Sequence, residues 1–349
     1  METCTKISRD VTTHPTASLL SAASPERDGK IDRPIDRSVR VFVCGRNGLV
    51  GSAVCRHLAR EGFTDVVGPG SAELDLRERR AVRDWFAATR PGMVVLAAAR
   101  VGGIKANATR PAEFLSDNLR IQVNVLDAAL EHEVERLLFL GSSCIYPKFA
   151  DQPIREESLL TGPLEPTNDA YAIAKIAGIV QVQAVRRQHG LRWISAMPTN
   201  LYGPGDNFHP EHSHVLPSLI RRFHEARQTG APQVVNWGSG TPRREFLHVD
   251  DLARACLHLL EHYDGDEPVN VGTGTDLTIR ELAEMVAEVI GYRGRIEWDA
   301  DQPDGTPRKL LDISRITALG WAPRIDLREG LRQVCAWYVD RLASGNLRH

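Results

Sequence analysis

The 349-residue chain predicts an α/β protein: a doubly wound parallel sheet with a smaller, mainly C-terminal α/β domain. Three observations predict it. A short apolar segment, Val39-Arg40-Val41-Phe42-Val43-Cys44, runs straight into a glycine-rich turn and then a helical apolar period. Strand-length apolar runs alternate with helical stretches through the first half of the chain, the β-α-β-α pattern of a parallel sheet. The runs are apolar on both faces, as in Arg136-Leu137-Leu138-Phe139-Leu140, which suits strands covered by helices on each side.

Composition narrows the class. Hydrophobic content of 42% and a net charge of -2 describe a globular protein and offer no sign of a nucleic-acid or membrane partner. No apolar run approaches the ~18–20 residues of a membrane span. The six cysteines, Cys4, Cys44, Cys55, Cys144, Cys256 and Cys335, show no Cys-x-x-Cys and no metal-like spacing. Reduced thiols in the cytoplasm are the expectation. Residues 1–37, rich in Ser, Thr, Asp, Arg and Pro, read as a disordered tail.

In chain order, the first strand feeds Gly45-Arg46-Asn47-Gly48-Leu49-Val50-Gly51. In such a turn the first glycine permits the bend and the second lets backbone approach a pyrophosphate. The third seats the helix against the strand, and the helix N-terminus offers N–H groups. Asp65-Val66-Val67 is the next strand, and its tip, Gly68-Pro69-Gly70-Ser71, carries no acid. An Asp or Glu there would grip a ribose 2′-hydroxyl, so its absence leaves room for a 2′-phosphate. Arg46 is the nearest phosphate partner, unless it is a solvated loop arginine. Asp75 is a candidate for the adenine edge or a helix cap. A helix over residues 79–88 and a strand over 93–99 follow. A loop over 101–104 and a helix over 114–131 come next.

The strand over residues 136–140 delivers Leu140, Gly141, Ser142, Ser143 and Cys144 to a strand end, where open α/β sheets place ligands. Tyr171 and Lys175 are four apart on the following helix and share a face. A phenol beside an ammonium can serve as a proton donor and acceptor. After a strand over 193–197, Pro198-Thr199-Asn200-Leu201-Tyr202-Gly203-Pro204 breaks regular structure at another strand end. His209, His212 and His214 lie close in sequence, but without a cysteine or a helical His-x-x-x-His no metal site is expected. A helix carries Arg221 and Arg222. Trp237-Gly238-Ser239-Gly240-Thr241-Pro242-Arg243-Arg244 combines an aromatic platform with arginines, suited to a base and phosphates. Residues 245–249 read as a short strand, and Asp250-Asp251 opens a helix. Thr278-Ile279-Arg280-Glu281 is a capping box for a helix to about 290. An amphipathic helix from about 327 ends the chain.

Together these residues resemble the extended short-chain dehydrogenase/reductase superfamily and, within it, the GDP-L-fucose synthase family. Gly-x-x-Gly-x-x-Gly and Tyr-x-x-x-Lys mark only the superfamily. The restrictive parts are Ser142-Ser143-Cys144-Ile145-Tyr146-Pro147, Asn207-Phe208-His209-Pro210 with the downstream His214, residues 97–104, 165–168, 237–251 and 303–311. The resemblance implies a Rossmann-like cofactor domain over 38–200 and 243–275, and a substrate domain over 201–242 and 276–349. It implies NADP(H) bound by residues 45–51, Asp75, residues 140–143, Lys175, residues 198–201 and His214. It implies a GDP-sugar held by Arg222, Trp237, Arg244 and Asp304, and a homodimer. The family activity is epimerisation at C3 and C5 of GDP-4-keto-6-deoxy-D-mannose followed by NADPH-dependent reduction at C4.

In that chemistry Cys144 and His214 exchange protons at the carbons flanking the ketone, and Tyr171 protonates the new alkoxide. Lys175 holds the nicotinamide ribose and lowers the Tyr171 pKa, and Ser142 hydrogen-bonds the C4 oxygen. Taken alone, Cys144 could equally be a small buried residue and His214 a loop histidine. The glycine loop departs from the family in holding Asn47 where a further arginine is common, which bears on the choice of NADP over NAD. Competing readings are an NAD-retaining nucleotide-sugar epimerase, a simple GDP-sugar 4-reductase and a non-catalytic dinucleotide-binding sensor.

Overall fold

The apolar runs assemble into one parallel sheet that puts the glycine turn at the end of its penultimate strand. The computed structural model describes residues 33–302 and 304–347. Its first half comprises Val41–Cys44 (β1), Leu49–Arg60 (α1), Val66–Val67 (β2), Arg79–Thr89 (α2), Met93–Leu96 (β3), Ile104–Thr109 (α3), Pro111–Glu131 (α4), Arg136–Leu140 (β4), Asp169–His189 (α5) and Arg192–Pro198 (β5). There follow Asn200–Tyr202 (β6), Val215–Thr229 (α6), Gln233–Trp237 (β7), Arg243–Arg244 (β8), Phe246–His248 (β9), Val249–His262 (α7) and Val269–Val271 (β10). The C-terminal part holds Leu277–Thr278 (β11), Ile279–Ile290 (α8), Arg295–Asp299 (β12), Arg308–Lys309 (β13), Ser314–Ala318 (α9) and Leu327–Ala343 (α10).

The six-stranded sheet runs β10-β5-β4-β3-β1-β2, every pair parallel. The chain leaves β1 for β2 on one side and returns for β3 on the other. The switch point therefore lies between the ends of β1 and β3, where open sheets of this kind bind ligands. Both faces are covered, which is why β1 and β3 are buried at every position. Val54 and Leu58 of α1 pack with Leu252 and Leu259 of α7 on one face. Val82 and Phe86 of α2 pack with Val125 of α4 and Ile179 of α5 on the other. Each such side chain, fully buried, stabilises by about 1.5–3 kcal/mol.

A third core joins α6, α8 and α10 through Phe223, Val286 and Leu331. It lies beside a two-stranded ribbon, β12-β7, and a small sheet, β11-β8-β13. The capping box opens α8 as the sequence predicts: the Glu281 N–H donates to the Thr278 hydroxyl at 3.0 Å, and the Thr278 N–H donates to the Glu281 carboxylate at 2.7 Å. Among the described residues no helix is long and apolar enough to cross a membrane.

Several boundaries differ from the sequence reading. Residues 1–32 of the expected tail lie outside the described residues, as does Pro303 of the 303–311 stretch. Residues 33–37 are packed: Ile35 enters the core beside α7, and Arg37 pairs with Glu261. β3 stops at Leu96 rather than running to residue 99, and the Ala97 N–H still donates to the Cys44 carbonyl at 3.2 Å. The 101–104 loop passes into a short helix, α3, before α4 begins at Pro111, a residue whose fixed φ suits a first helical turn. The segment after β5 is not wholly irregular, because β6 pairs in parallel with β9. That pairing was invisible locally, since β9 lies some 45 residues on.

Candidate active site

The glycine turn is shaped by close backbone approach. Gly45 has φ 84°, and a Cβ there would meet Ala98 Cα, beyond the end of β3, at 2.9 Å. A Cβ on Gly51 would sit 2.1 Å from the Gly45 carbonyl oxygen. Only glycine lets α1 start this close to β1. Gly48 caps α1 with no side-chain hydrogen bond, and its first turn holds no acid. The first N–H groups are thus free of an internal carboxylate at the position where such folds receive a pyrophosphate. Arg46 lies along the tip of β2: a Cβ on Gly68 would meet the Arg46 side chain at 3.2 Å, and one on Gly70 would meet Asn47 Nδ2 at 3.1 Å. Both loop side chains border the place expected for the ribose of the adenosine half. Asp75 neither caps α2, whose N-cap is Glu78, nor stands alone, because Arg77 occupies both its carboxylate oxygens. These residues fit a nicotinamide dinucleotide.

At the end of β4 the chain turns through a one-turn 3-10 helix, Ser143–Ile145, whose start is fixed by the Cys144 N–H donating to the Ser142 hydroxyl at 3.2 Å. Gly141 passes against Met197 so closely that a Cβ would lie 2.4 Å from its sulfur. Behind this turn α5 is drawn in by Gly178, where a Cβ would meet the Phe139 ring at 2.4 Å. The close packing of α5 on β4 carries Tyr171 and Lys175 to the strand end.

Tyr171 is half-buried at this strand end; desolvation pushes its phenol well above the ordinary range, the charge of Cys144 adds to that and a hydrogen bond to Ser142 opposes it. Lys175 is buried, and its Nζ donates to the Leu140 carbonyl at 2.8 Å. Burial alone brings it down to about 8. This corrects one expectation. The Lys175 Nζ lies 6.0 Å from the centre of the Tyr171 ring, bound to backbone, and does not figure among the groups shifting the phenol. Desolvated there, Tyr171 is held as a protonated donor.

Cys144 is half-buried, and two further side chains reach its sulfur. Asn168 Nδ2 donates at 3.5 Å and Lys309 Nζ at 3.6 Å. Neither was assigned a role from the sequence. Asn168 precedes α5 within a quoted motif, so its position could have been guessed; Lys309 arrives from β13 and could not. His214 caps the start of α6, next to Ser213, whose carbonyl oxygen borders Gly103 in the loop after β3. His214 is exposed at the start of α6, and desolvation lowers its pKa below the ordinary value. A neutral imidazole is available there as a base.

The four residues expected for the GDP-sugar lie on α6, at the end of β7, on β8 and shortly before β13. Arg222 of α6 donates to Asn236 Oδ1 at 3.0 Å and to the Val235 carbonyl. Trp237, at the end of β7, is 62% exposed and, among the described residues, stacks on no other ring, a platform of the kind a base stacks on. Asp304 accepts from the Ser239 N–H and hydroxyl, each at 2.8 Å, and so fixes the turn after Trp237. Arg244 of β8 is mostly buried, near both Cys144 and Asp304, and burial lowers its pKa. Thr199 and Asn200, past β5, both donate to the Glu245 carbonyl oxygen, at 3.3 and 2.8 Å.

A dinucleotide crevice at the β1/β3 switch point, one strand away from a serine, phenol and buried lysine, is the layout of the extended short-chain dehydrogenases/reductases. The family model described as "NAD dependent epimerase/dehydratase family" matches residues 41–272. "Probable GDP-L-fucose synthase 1" of Oryza sativa subsp. japonica is 62% identical over 310 residues, 88% of this chain and 94% of that protein. "GDP-L-fucose synthase" of Escherichia coli (strain K12) is 54% identical, covering 86% of this chain and 97% of that protein. The chain belongs to the GDP-L-fucose synthase family. Among solved structures, a GDP-L-fucose synthetase from Naegleria fowleri bound to NADP is 28% identical with a TM-score of 0.84, covering 93% of this chain and all of that one.

Proposed function

We propose that this chain converts GDP-4-keto-6-deoxy-D-mannose to GDP-L-fucose, epimerising at C3 and C5 and then reducing the C4 ketone with NADPH. The observation that carries the reading is that the Cys144 thiol stands beside Ser142 at one strand end, the Cys144 N–H donating to the Ser142 hydroxyl at 3.2 Å and its sulfur accepting from Lys309 at 3.6 Å. A 4-reductase alone does not need the thiol. The family membership supports the same activity.

Protons on the carbons flanking a ketone are acidic because the enolate spreads charge onto the ketone oxygen. Cys144 or His214 removes one and the other returns one to the opposite face, inverting the centre. Each such group is typically worth about 10²–10⁴ in rate. Bound NADPH supplies the hydride for C4. Ser142 hydrogen-bonds the C4 oxygen, and Tyr171, kept protonated by burial, gives that oxygen its proton. Lys175 holds the nicotinamide ribose. Residues 45–51, Asp75, residues 140–143 and residues 198–201 bind the cofactor, with Arg46 at the 2′-phosphate as the basis for preferring NADP. Arg222, Trp237, Arg244 and Asp304 bind the GDP-sugar. We assign residues 38–200 and 243–275 to the cofactor domain, and 201–242 and 276–349 to the substrate domain. The third core supports that division for α6, α8 and α10, whereas Ile316, Leu319 and Trp321 pack with the parallel sheet and Phe246 packs with the third core.

We also propose a homodimer through α4 and α5. These helices pack on each other and still expose Val123, Ile173 and Val180, at 39%, 47% and 44%.

The test is incubation with GDP-4-keto-6-deoxy-D-mannose and NADPH in deuterated water. Deuterium at C3 and C5, with one NADPH consumed per GDP-L-fucose, is the expected result. NADPH consumption without deuterium would reduce the protein to a 4-reductase. Deuterium without NADPH consumption would make it an epimerase.

A further inference from the structure

Glu245 is fully buried, lies between the two lobes and has no place in the mechanism above. Among the described residues no cation pairs with it. Its carboxylate is held by backbone donors: Oε1 accepts from the Thr273 N–H at 2.5 Å and the Gly274 N–H at 2.7 Å, and Oε2 accepts from the Leu311 N–H at 3.1 Å. A Cβ on Gly272 would lie 2.3 Å from Oε1, so the backbone there comes as near as glycine permits. The Glu245 carbonyl takes the side chains of Thr199 and Asn200.

These bonds converge from segments far apart in sequence. Leu311 lies two residues past Lys309, whose ammonium is 3.6 Å from the Cys144 sulfur. β13 pairs with β8 in the register Lys309 to Arg244, so Glu245 is the next residue along β8. Its side chain reaches the Leu311 N–H and prolongs by one bond a ladder only two residues long. From the other side Gln152 accepts the Leu310 N–H at 2.9 Å, and Ile154 brackets Leu311. The segment is also held by the β8 ladder, by Arg308 pairing with Asp276 at 2.6 Å and by Asn270 donating to the Asp312 carbonyl at 3.1 Å; Glu245 is the partner of the Leu311 N–H, two residues from Lys309.

We propose that Glu245 is a positioning residue: it holds β13 so that the Lys309 ammonium stands against the Cys144 sulfur. An ammonium at that distance stabilises negative charge developing on the sulfur, the atom that exchanges a proton or attacks an electrophile. The proposal rests on Cys144 being a proton-exchange group.

Glu245→Gln is the informative change. Its remaining oxygen serves the two donors from Thr273 and Gly274, and its new NH2 faces the Leu311 N–H, donor against donor. The break falls on the Lys309 side. The measurement is alkylation of Cys144 by iodoacetamide in the full-length protein, followed by mass spectrometry of the Cys144 peptide between pH 6 and 9. The expected result is a rate about threefold to tenfold lower at pH 7. Lys309→Met gives the same fall, and the double variant falls no further. Wild-type alkylation in Glu245→Gln would overturn the proposal, and so would a double variant showing the product of the two effects. Should Glu245→Gln not fold, Glu245→Asp, which keeps the charge but shortens the reach, is read the same way with a smaller fall. Loss of the proposed epimerase-reductase activity in the wild type would leave the alkylation result standing, so the two failures are distinguishable.

Discussion

The Lys175 ammonium donates to the carbonyl oxygen of Leu140 at 2.8 Å. That bond ties the lysine to the last residue of β4 and leaves the neighbouring Tyr171 to Ser142 and Cys144. Burial brings Lys175 from 10.5 down to about 8. Below about 8 both folded and unfolded chains carry the ammonium, and the folded state bears the cost of burying it. Between about 8 and 10.5 only the unfolded chain binds the proton, so folding gains as pH rises. Urea unfolding without cofactor should show the wild type gaining, relative to Lys175→Met, on the order of 3 kcal/mol across that window and nothing above it. A flat difference would mean that Lys175 is not desolvated.

The two halves of the reaction should separate by variant. Cys144→Ser should cut deuterium uptake at C3 and C5 by about 10²-fold or more, while keeping much of the reduction of a suitable 4-ketone. Tyr171→Phe should keep the uptake and lose the reduction to a similar degree. Equal loss of both steps in both variants would refute the division of labour.

Arg46 packs along the tip of β2, which carries no acid. Arg46→Ala should raise the KM for NADPH by about tenfold, as loss of a charge-assisted phosphate contact does, with a smaller change for NADH. Steady-state kinetics with both cofactors decides this, and equal increases would remove Arg46 from the 2′-phosphate.

Gly51→Ala introduces a Cβ 2.1 Å from a backbone oxygen of the same cofactor turn. Neither partner is a flexible side chain, so α1 must move. The variant should lose about 1–3 kcal/mol in denaturant unfolding and bind NADPH more weakly, by fluorescence titration. Unchanged affinity would show that the turn is not the cofactor's seat.

Ile173 and Val180 are two helical turns apart on one face of α5. Replacing Val180 by Arg should convert the proposed dimer to monomer in light scattering without unfolding it. A wild type that is monomeric at micromolar concentration would end that proposal.

By itself the sequence determined the sheet, the glycine turn and the Ser142–Cys144 and Tyr171–Lys175 placements, because each rests on neighbours within a few residues. Strand burial, helical period and glycine geometry are local signals. β4, the α8 capping box and the start of α10 stand where the residues imply. Only the tertiary structure decided what surrounds the thiol. Lys309 meets Cys144 across 165 residues, β6 pairs with a strand 46 positions on, and Glu245 gathers backbone from two distant segments, at 273–274 and at 311. Such contacts are set by how two lobes close on each other, and no periodicity within one segment encodes them. The protonation of Tyr171 was decided the same way, since burial and its neighbours outweigh a lysine four residues away whose ammonium is spent on a carbonyl.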